Sequence, residues 1–216
     1  MTISSRTQFL PLSLPFIDFS VPNLKPETPE WDSVRSQASE EVFHLPLETK
    51  LSAKSEKRNY GYAGQIPTMP LFEGMGFDGV DNPHVVDDLT HKLWPHGNIT
   101  FSKNVQSFAA KLSKLDVMVR TMIMESFGLE KYVEEHLNSS NNRFHLFKYR
   151  GIHNGNTEEE LGLDPHIDRH FLTILCQNDV LLNGGVFPPI HRVVITGTED
   201  RHVAGLFLRP KEGLIS

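Results

Sequence analysis

Two periodicities divide the chain. From about residue 103 to 127, Val105, Phe108, Ala109, Leu112, Leu115, Val119, Met122 and Ile123 recur every three or four residues. That spacing puts them on one face of an amphipathic helix that packs as scaffold. Ser102 stands where an N-cap would, and Gly128 supplies the stop. A shorter helix over residues 130–137 is expected to follow. Upstream, Thr28 and Pro29 open a helical stretch over residues 30–54, which Pro46 should break into two pieces. Residues 14–19 (LPFIDF) read as a short strand. The Gly- and Pro-dense interval 59–83 reads as a long irregular segment.

Beyond Asn142 the pattern changes. Residues 143–149, 170–176, 193–196 and 203–208 are runs of Phe, Val, Ile, Thr and Leu that favour strands. Helices first and strands after predict an α+β architecture. Residues 1–142 would form an N-terminal helical region with one short strand, and residues 143–216 the strand region.

Composition narrows the classes. The chain has 216 residues, 38% hydrophobic and 22% charged, an ordinary globular balance. A net charge of -6 with no Lys/Arg-rich run argues against nucleic acid or an anionic membrane and points to a small-molecule partner. Cys176 is the sole cysteine, so no internal disulfide forms, and it reads as a small buried hydrophobe in a reducing compartment. Neither a signal peptide nor an apolar run of membrane-spanning length is visible, so a cytoplasmic location is expected.

The chemistry lies in the strand half. His166-Ile-Asp168 sets an imidazole and a carboxylate two residues apart, on the same side of an extended chain. Such a pair is common by chance among 11 histidines, and its weight comes from its surroundings. His191 can supply a third ligand. Two histidines and one carboxylate occupy one face of an octahedron and leave three positions open, as in non-haem Fe(II) oxygenases. Ten residues further on, Arg201 can fork onto a carboxylate, and Tyr149 can donate its hydroxyl to the same group. His84, His91 and His96 fit no common metal motif, and Asp87-Asp88 reads as a helix-start charge pair. His170 and His202 lie near enough to line a pocket.

In this order, His166-Ile-Asp168, Thr173-Ile-Leu, His191-Arg-Val and Arg201 resemble the plant 2-oxoglutarate/Fe(II)-dependent dioxygenase superfamily. Residues 70–76 (PLFEGMG), 92–98 (KLWPHGN), 124–128 (MESFG) and 210–213 (PKEG) are similar to the glucosinolate side-chain dioxygenases of crucifers. The resemblance implies N-terminal helices packed on a double-stranded β-helix (jelly roll). It implies iron on His166, Asp168 and His191, 2-oxoglutarate on Arg201 and Tyr149, and ascorbate as reductant. The implied reaction couples oxidative decarboxylation of 2-oxoglutarate to conversion of a methylsulfinylalkyl side chain into an alkenyl or hydroxyalkyl product. The implied partner is a glucosinolate-like small molecule, met by a monomer.

Departures from that pattern modify the expectation. Only 22 residues separate Asp168 from His191, a stretch able to return His191 to the metal but too short to furnish the usual barrel strands as well. Residues 35–37 run abruptly into residue 38, and Val203 stands where the family has a serine that shares the 2-oxoglutarate carboxylate. Losing one donor to a buried carboxylate costs about 1–3 kcal/mol. The jelly roll is therefore expected to be incomplete and the chain impaired or inactive. The alternatives are a trimmed but active dioxygenase, or a metal-free interaction protein on the same scaffold.

Overall fold

The computed structural model describes residues 37–56, 60–153, 159–168, 170–177, 181–182 and 190–211. The expected strand at residues 14–19 and the start of the 30–54 helical stretch lie outside them.

Pro46 separates two short helices, α1 (Ser39–Phe43) and α2 (Leu47–Ser52), and stands at the N-cap of the second, where its missing N–H costs nothing. In α3 (Pro83–Leu93) the Asn82 side chain caps the start by accepting from the backbone N–H of His84. Asp87 and Asp88 fall in the second turn rather than at a helix start, and Asp87 accepts hydrogen bonds from Ser102 and Gln106 of the next helix.

That next helix, α4, runs from Ile99 to Ser126, four residues earlier than the periodicity suggests. Asn98, not Ser102, caps it, accepting from Phe101 N at 3.0 Å, while Ser102 is buried in the helix contact. Gly128 follows with φ +68°, the left-handed stop that only glycine adopts at little cost. The predicted apolar face is buried only in the first half: Val105, Phe108, Ala109 and Leu112 are core, whereas Met122 and Ile123 are nearly half exposed. A 3₁₀ turn (Glu130–Tyr132) and α5 (Val133–Asn138) follow.

Among the described residues, eight strands form two antiparallel sheets. They are β1 (Gly61–Ala63), β2 (Phe72–Asp78), β3 (Ser140–Tyr149), β4 (Glu159–His166), β5 (Leu172–Gln177), β6 (Leu181–Leu182), β7 (His191–Thr196) and β8 (Arg201–Pro210). The large sheet has the order β1-β2-β3-β8-β5-β6, and β4 pairs with β7 in the small one. β1 and β2 correct the irregular segment expected over residues 59–83. Glycines that read as loop serve packing instead: a Cβ at Gly74 would stand 3.0 Å from the Phe72 ring and 3.3 Å from Phe147.

The large sheet has two unlike faces. Phe144 and Leu146 of β3, Ala204, Leu206 and Leu208 of β8, and Ile174 and Cys176 of β5 pack with Val105, Phe108 and Leu112 of α4 in one apolar cluster. On the other face Tyr149, Val203 and Leu71 meet Ile195 of β7 in a second cluster, which joins the two sheets. The result is α+β, with helices on one side of a jelly-roll sheet and the site on the other. A buried pair ties the layers together: Arg120 forks onto Asp116 at 2.8 and 2.7 Å and donates to Ser140 Oγ at the head of β3. Burial raises the Asp116 pKa against the pull of Arg120. Among the described residues no helix is long and apolar enough to cross a membrane.

Candidate metal centre

His166 closes β4 and His191 opens β7, and the two are register partners. Their ring centroids are 4.2 Å apart. Asp168, two residues past His166, brings Oδ1 to 3.7 Å from His166 Nε2, too far for a hydrogen bond. The three side chains each offer a ligand atom, all within 4.8 Å of one another. The 22-residue interval thus suffices: the chain turns back through β7 and pairs with β4.

Neighbouring groups orient the donors. His166 Nδ1 lies 2.8 Å from the carbonyl oxygen of Asp164. A carbonyl only accepts, so Nδ1 carries the proton and the Nε2 lone pair is left for a metal. Thr173 Oγ1 donates to Asp168 Oδ2 at 2.9 Å, which leaves Oδ1 toward His166. The side chains of His166 and Asp168 remain partly open, at 33% and 22% exposure, so further ligands have access. This donor set, two imidazoles and one held carboxylate, fits a divalent iron ion with vacant positions.

Tyr149 and Arg201 sit opposite each other on β3 and β8. Tyr149 is buried, and its hydroxyl is pushed up to about 12, by burial first, with Arg201 pulling down and Asp168 pushing up. The phenol is therefore a neutral donor lying within the fields of both the Asp168 carboxylate and the Arg201 guanidinium. Gly162 of β4 makes room for it: a Cβ there would stand 2.9 Å from Tyr149 Cδ1 and 3.0 Å from Ile195 Cγ1. The β4–β7 register slips on either side of Leu163, next to this contact. Val203, two residues past Arg201, is buried in the same cluster. Just before Arg201, Asp200 accepts from Lys148 at 2.7 Å and from the Gly151 N–H at 3.0 Å. Burial opposes its ionisation, but those partners hold the carboxyl below its ordinary range.

The two flanking histidines part ways. His202 turns to the helix side, with Nδ1 2.7 Å from Ser39 Oγ and its ring 6.4 Å from Phe43; it does not line the metal side. His170 stays inward, its ring 5.1 Å from Phe207. His91 lies on α3 with Nδ1 turned to the Asp87 carbonyl oxygen. Sequence reasoning gave no role to the orienting groups at Asp164 and Thr173. It also passed over three inward-facing basic residues, Arg143, His145 and Arg209, whose only signal was their alternation with apolar positions.

No protein-family model matches the chain. It is 34% identical over 266 aligned positions to a probable 2-oxoglutarate-dependent dioxygenase of Arabidopsis thaliana, AOP1.2, covering 94% of this chain and 82% of that protein. It is 35% identical over 265 positions to a second, AOP1, covering 94% and 87%. Since 94% of 216 residues is about 203, about 63 of the 266 positions have no counterpart here. Among solved structures, the Arabidopsis dioxygenase for auxin oxidation 1, in a binary complex with 2-oxoglutarate, superposes with a TM-score of 0.64 at 17% identity. That match covers 83% of this chain and 78% of the other.

Proposed function

The chain belongs to the 2-oxoglutarate-dependent dioxygenases, and on that premise we propose that His166, Asp168 and His191 hold Fe(II) while Arg201 and Tyr149 hold 2-oxoglutarate. The observation that carries this reading is the meeting of three ligand atoms within 4.8 Å across β4 and β7. Bound there, iron supplies the one-electron and dioxygen chemistry that side chains lack. The protein's own groups do the rest. The Asp164 carbonyl fixes the His166 tautomer, and Thr173 fixes the Asp168 carboxylate. Arg201 forks onto the far carboxylate of 2-oxoglutarate, and the neutral Tyr149 hydroxyl donates to it. Tyr149, Val203 and Ile195 keep that end dry.

The substrate is a small organic molecule of plant secondary metabolism. The family resemblance favours a glucosinolate whose methylsulfinylalkyl side chain becomes alkenyl or hydroxyalkyl. Ascorbate serves as reductant and the chain works as a cytoplasmic monomer, without nucleic acid or membrane. A second reading has its own support: about 63 aligned positions are missing, and the small sheet has two strands among the described residues. On that reading the site binds iron and 2-oxoglutarate but turns over slowly or not at all.

Anaerobic titration of the purified chain with Fe(II) and 2-oxoglutarate, followed by a succinate assay in air, separates these. A saturable visible charge-transfer band, absent in His191→Ala, supports the metal site. Succinate formation then supports the active enzyme, and a band without succinate supports the impaired one. A folded sample giving no band overturns the assignment.

A further inference from the structure

The inward positions of β3, read away from Tyr149, are Phe147, His145 and Arg143; those of β8, away from Arg201, end in Phe207 and Arg209. The intervening residues Phe144, Leu146, Leu206 and Leu208 belong to the helix-side core, so alternation sends the basic residues to the metal side.

Arg143 is only 5% exposed, and its Nε is buried with no hydrogen-bond partner among the described residues. Asp78 Oδ1 stands 3.5 Å from it, an ion pair without hydrogen-bond geometry, and the guanidinium lies 4.6 Å from the centroid of the Tyr60 ring. His170 Nδ1 is also buried without a partner. The His145 ring stacks on Phe147 at 5.1 Å and meets Phe207 edge-on at 5.3 Å. Burial first, and then the charges of Arg143, His170 and Arg209, hold His145 down to about 3. It is neutral at physiological pH, and both guanidiniums act across the space it shares with His170.

A buried guanidinium with an orphaned N–H is costly unless a ligand completes it, and its planar fork matches an oxyanion. Free 2-oxoglutarate does not account for it. Arg201 faces Tyr149, six residues along β3 from Arg143, which at 3.3 Å per residue is about 20 Å. We propose that Arg143 and Arg209 seat an oxyanion (carboxylate, sulfonate or sulfate) carried by the substrate, whose apolar stem runs along Phe147 and Phe207 toward the His166, Asp168 and His191 centre. The inference names the substrate class for the proposed dioxygenase site and rests on that reading.

The test is calorimetric titration of the full chain with hexanesulfonate, hexanoate and neutral hexanamide. It is repeated on Arg143→Gln, Arg209→Gln and Arg201→Gln, with the Fe(II)/2-oxoglutarate band measured in parallel. Both anions should bind at least about tenfold more tightly than the amide, and each of the first two substitutions should weaken them about tenfold. Arg201→Gln should leave hexyl-anion binding unchanged while weakening the band. If sulfonate alone binds, the seat is selective for a tetrahedral head. Should Arg143→Gln fail to fold, Arg209→Gln, at a less buried position, decides alone. Equal binding of anion and amide, or anion binding indifferent to Arg143 and Arg209, overturns the proposal. Arg143-dependent anion binding without any band would instead retain the seat and sink the dioxygenase reading.

Discussion

Strands β3 and β8 face two different environments. Toward the helices they present Phe144, Leu146, Ala204, Leu206 and Leu208, all fully buried. Toward the small sheet the same strands present Arg143, His145, Tyr149, Arg201 and Arg209 among a few aromatic rings. Because side chains alternate in a strand, an inward residue such as His145 is flanked by apolar neighbours, Phe144 and Leu146, locked on the far side. One face provides stability and the other spends it on buried basic groups. Site geometry therefore depends on the helix-side core, but core stability should depend little on the site.

The largest break in that comparison comes from the helix side. Phe144 is fully buried, with the rings of Phe77 and Phe108 both 6.0 Å away. Phe144→Ala should cost about 3–5 kcal/mol in denaturant unfolding, while Tyr149→Phe should cost less than about 1.5 kcal/mol and weaken 2-oxoglutarate binding instead. Equal losses of stability would erase the distinction between the faces.

Acid should attack the inward face next. His145 titrates near 6.5 when unfolded and at about 3 when folded, because burial and the neighbouring cations disfavour its charge. A lowered folded pKa means that the unfolded chain binds the extra proton first. Stability should be full above about pH 6.5 and fall steadily as pH drops toward 3. His145→Phe should flatten that slope in melts between pH 4 and 7. An unchanged slope would assign the acid sensitivity to other groups, His202 and His136 first among them.

At Gly162 the effect should be smaller and local. A Cβ there would stand 2.9 Å from Tyr149 Cδ1 and 3.0 Å from Ile195 Cγ1, so Gly162→Ala must displace at least one of them. Such overpacking costs about 1–3 kcal/mol. It should appear mainly as a several-fold weaker 2-oxoglutarate affinity in the charge-transfer titration. Loss of stability alone, with affinity intact, would remove Tyr149 from the cosubstrate site.

Legibility followed the same division. The meeting of His166, Asp168 and His191 could be read because its signal is local in sequence: His-x-Asp and a later histidine, with an arginine ten residues beyond. Strands β3, β7 and β8 could be read because β-branched and aromatic residues dominate them. β2 was lost because Gly74 and Gly76 signal a turn, and only the fold shows that Phe72 and Phe147 crowd Gly74. β4, with Gly162 and Pro165 inside it, was lost in the same way. Arg143, His145 and Arg209 were invisible as a group, since only the β3–β8 register brings them together. The overlong apolar face assigned to α4 shows the converse limit: periodicity gives the face but not how far a partner covers it.

Val203 offers the finest test, because two opposing terms act at one residue. It is 5% exposed and packed with Tyr149 and Ile195. Val203→Ser removes buried methyl groups, a loss of about 1–2 kcal/mol in stability. It also adds a hydroxyl beside Arg201 and Tyr149, where a charge-assisted hydrogen bond to a carboxylate contributes about 1.5–3 kcal/mol. The first term acts on folding and the second only when 2-oxoglutarate is bound, so they do not cancel in a binding measurement. The variant should melt earlier in the absence of ligand yet bind 2-oxoglutarate several-fold more tightly, and the gap between the two melts should close as 2-oxoglutarate is added. If affinity stays flat while stability drops, the hydroxyl has no carboxylate to reach, and the cosubstrate does not lie between Arg201 and Tyr149.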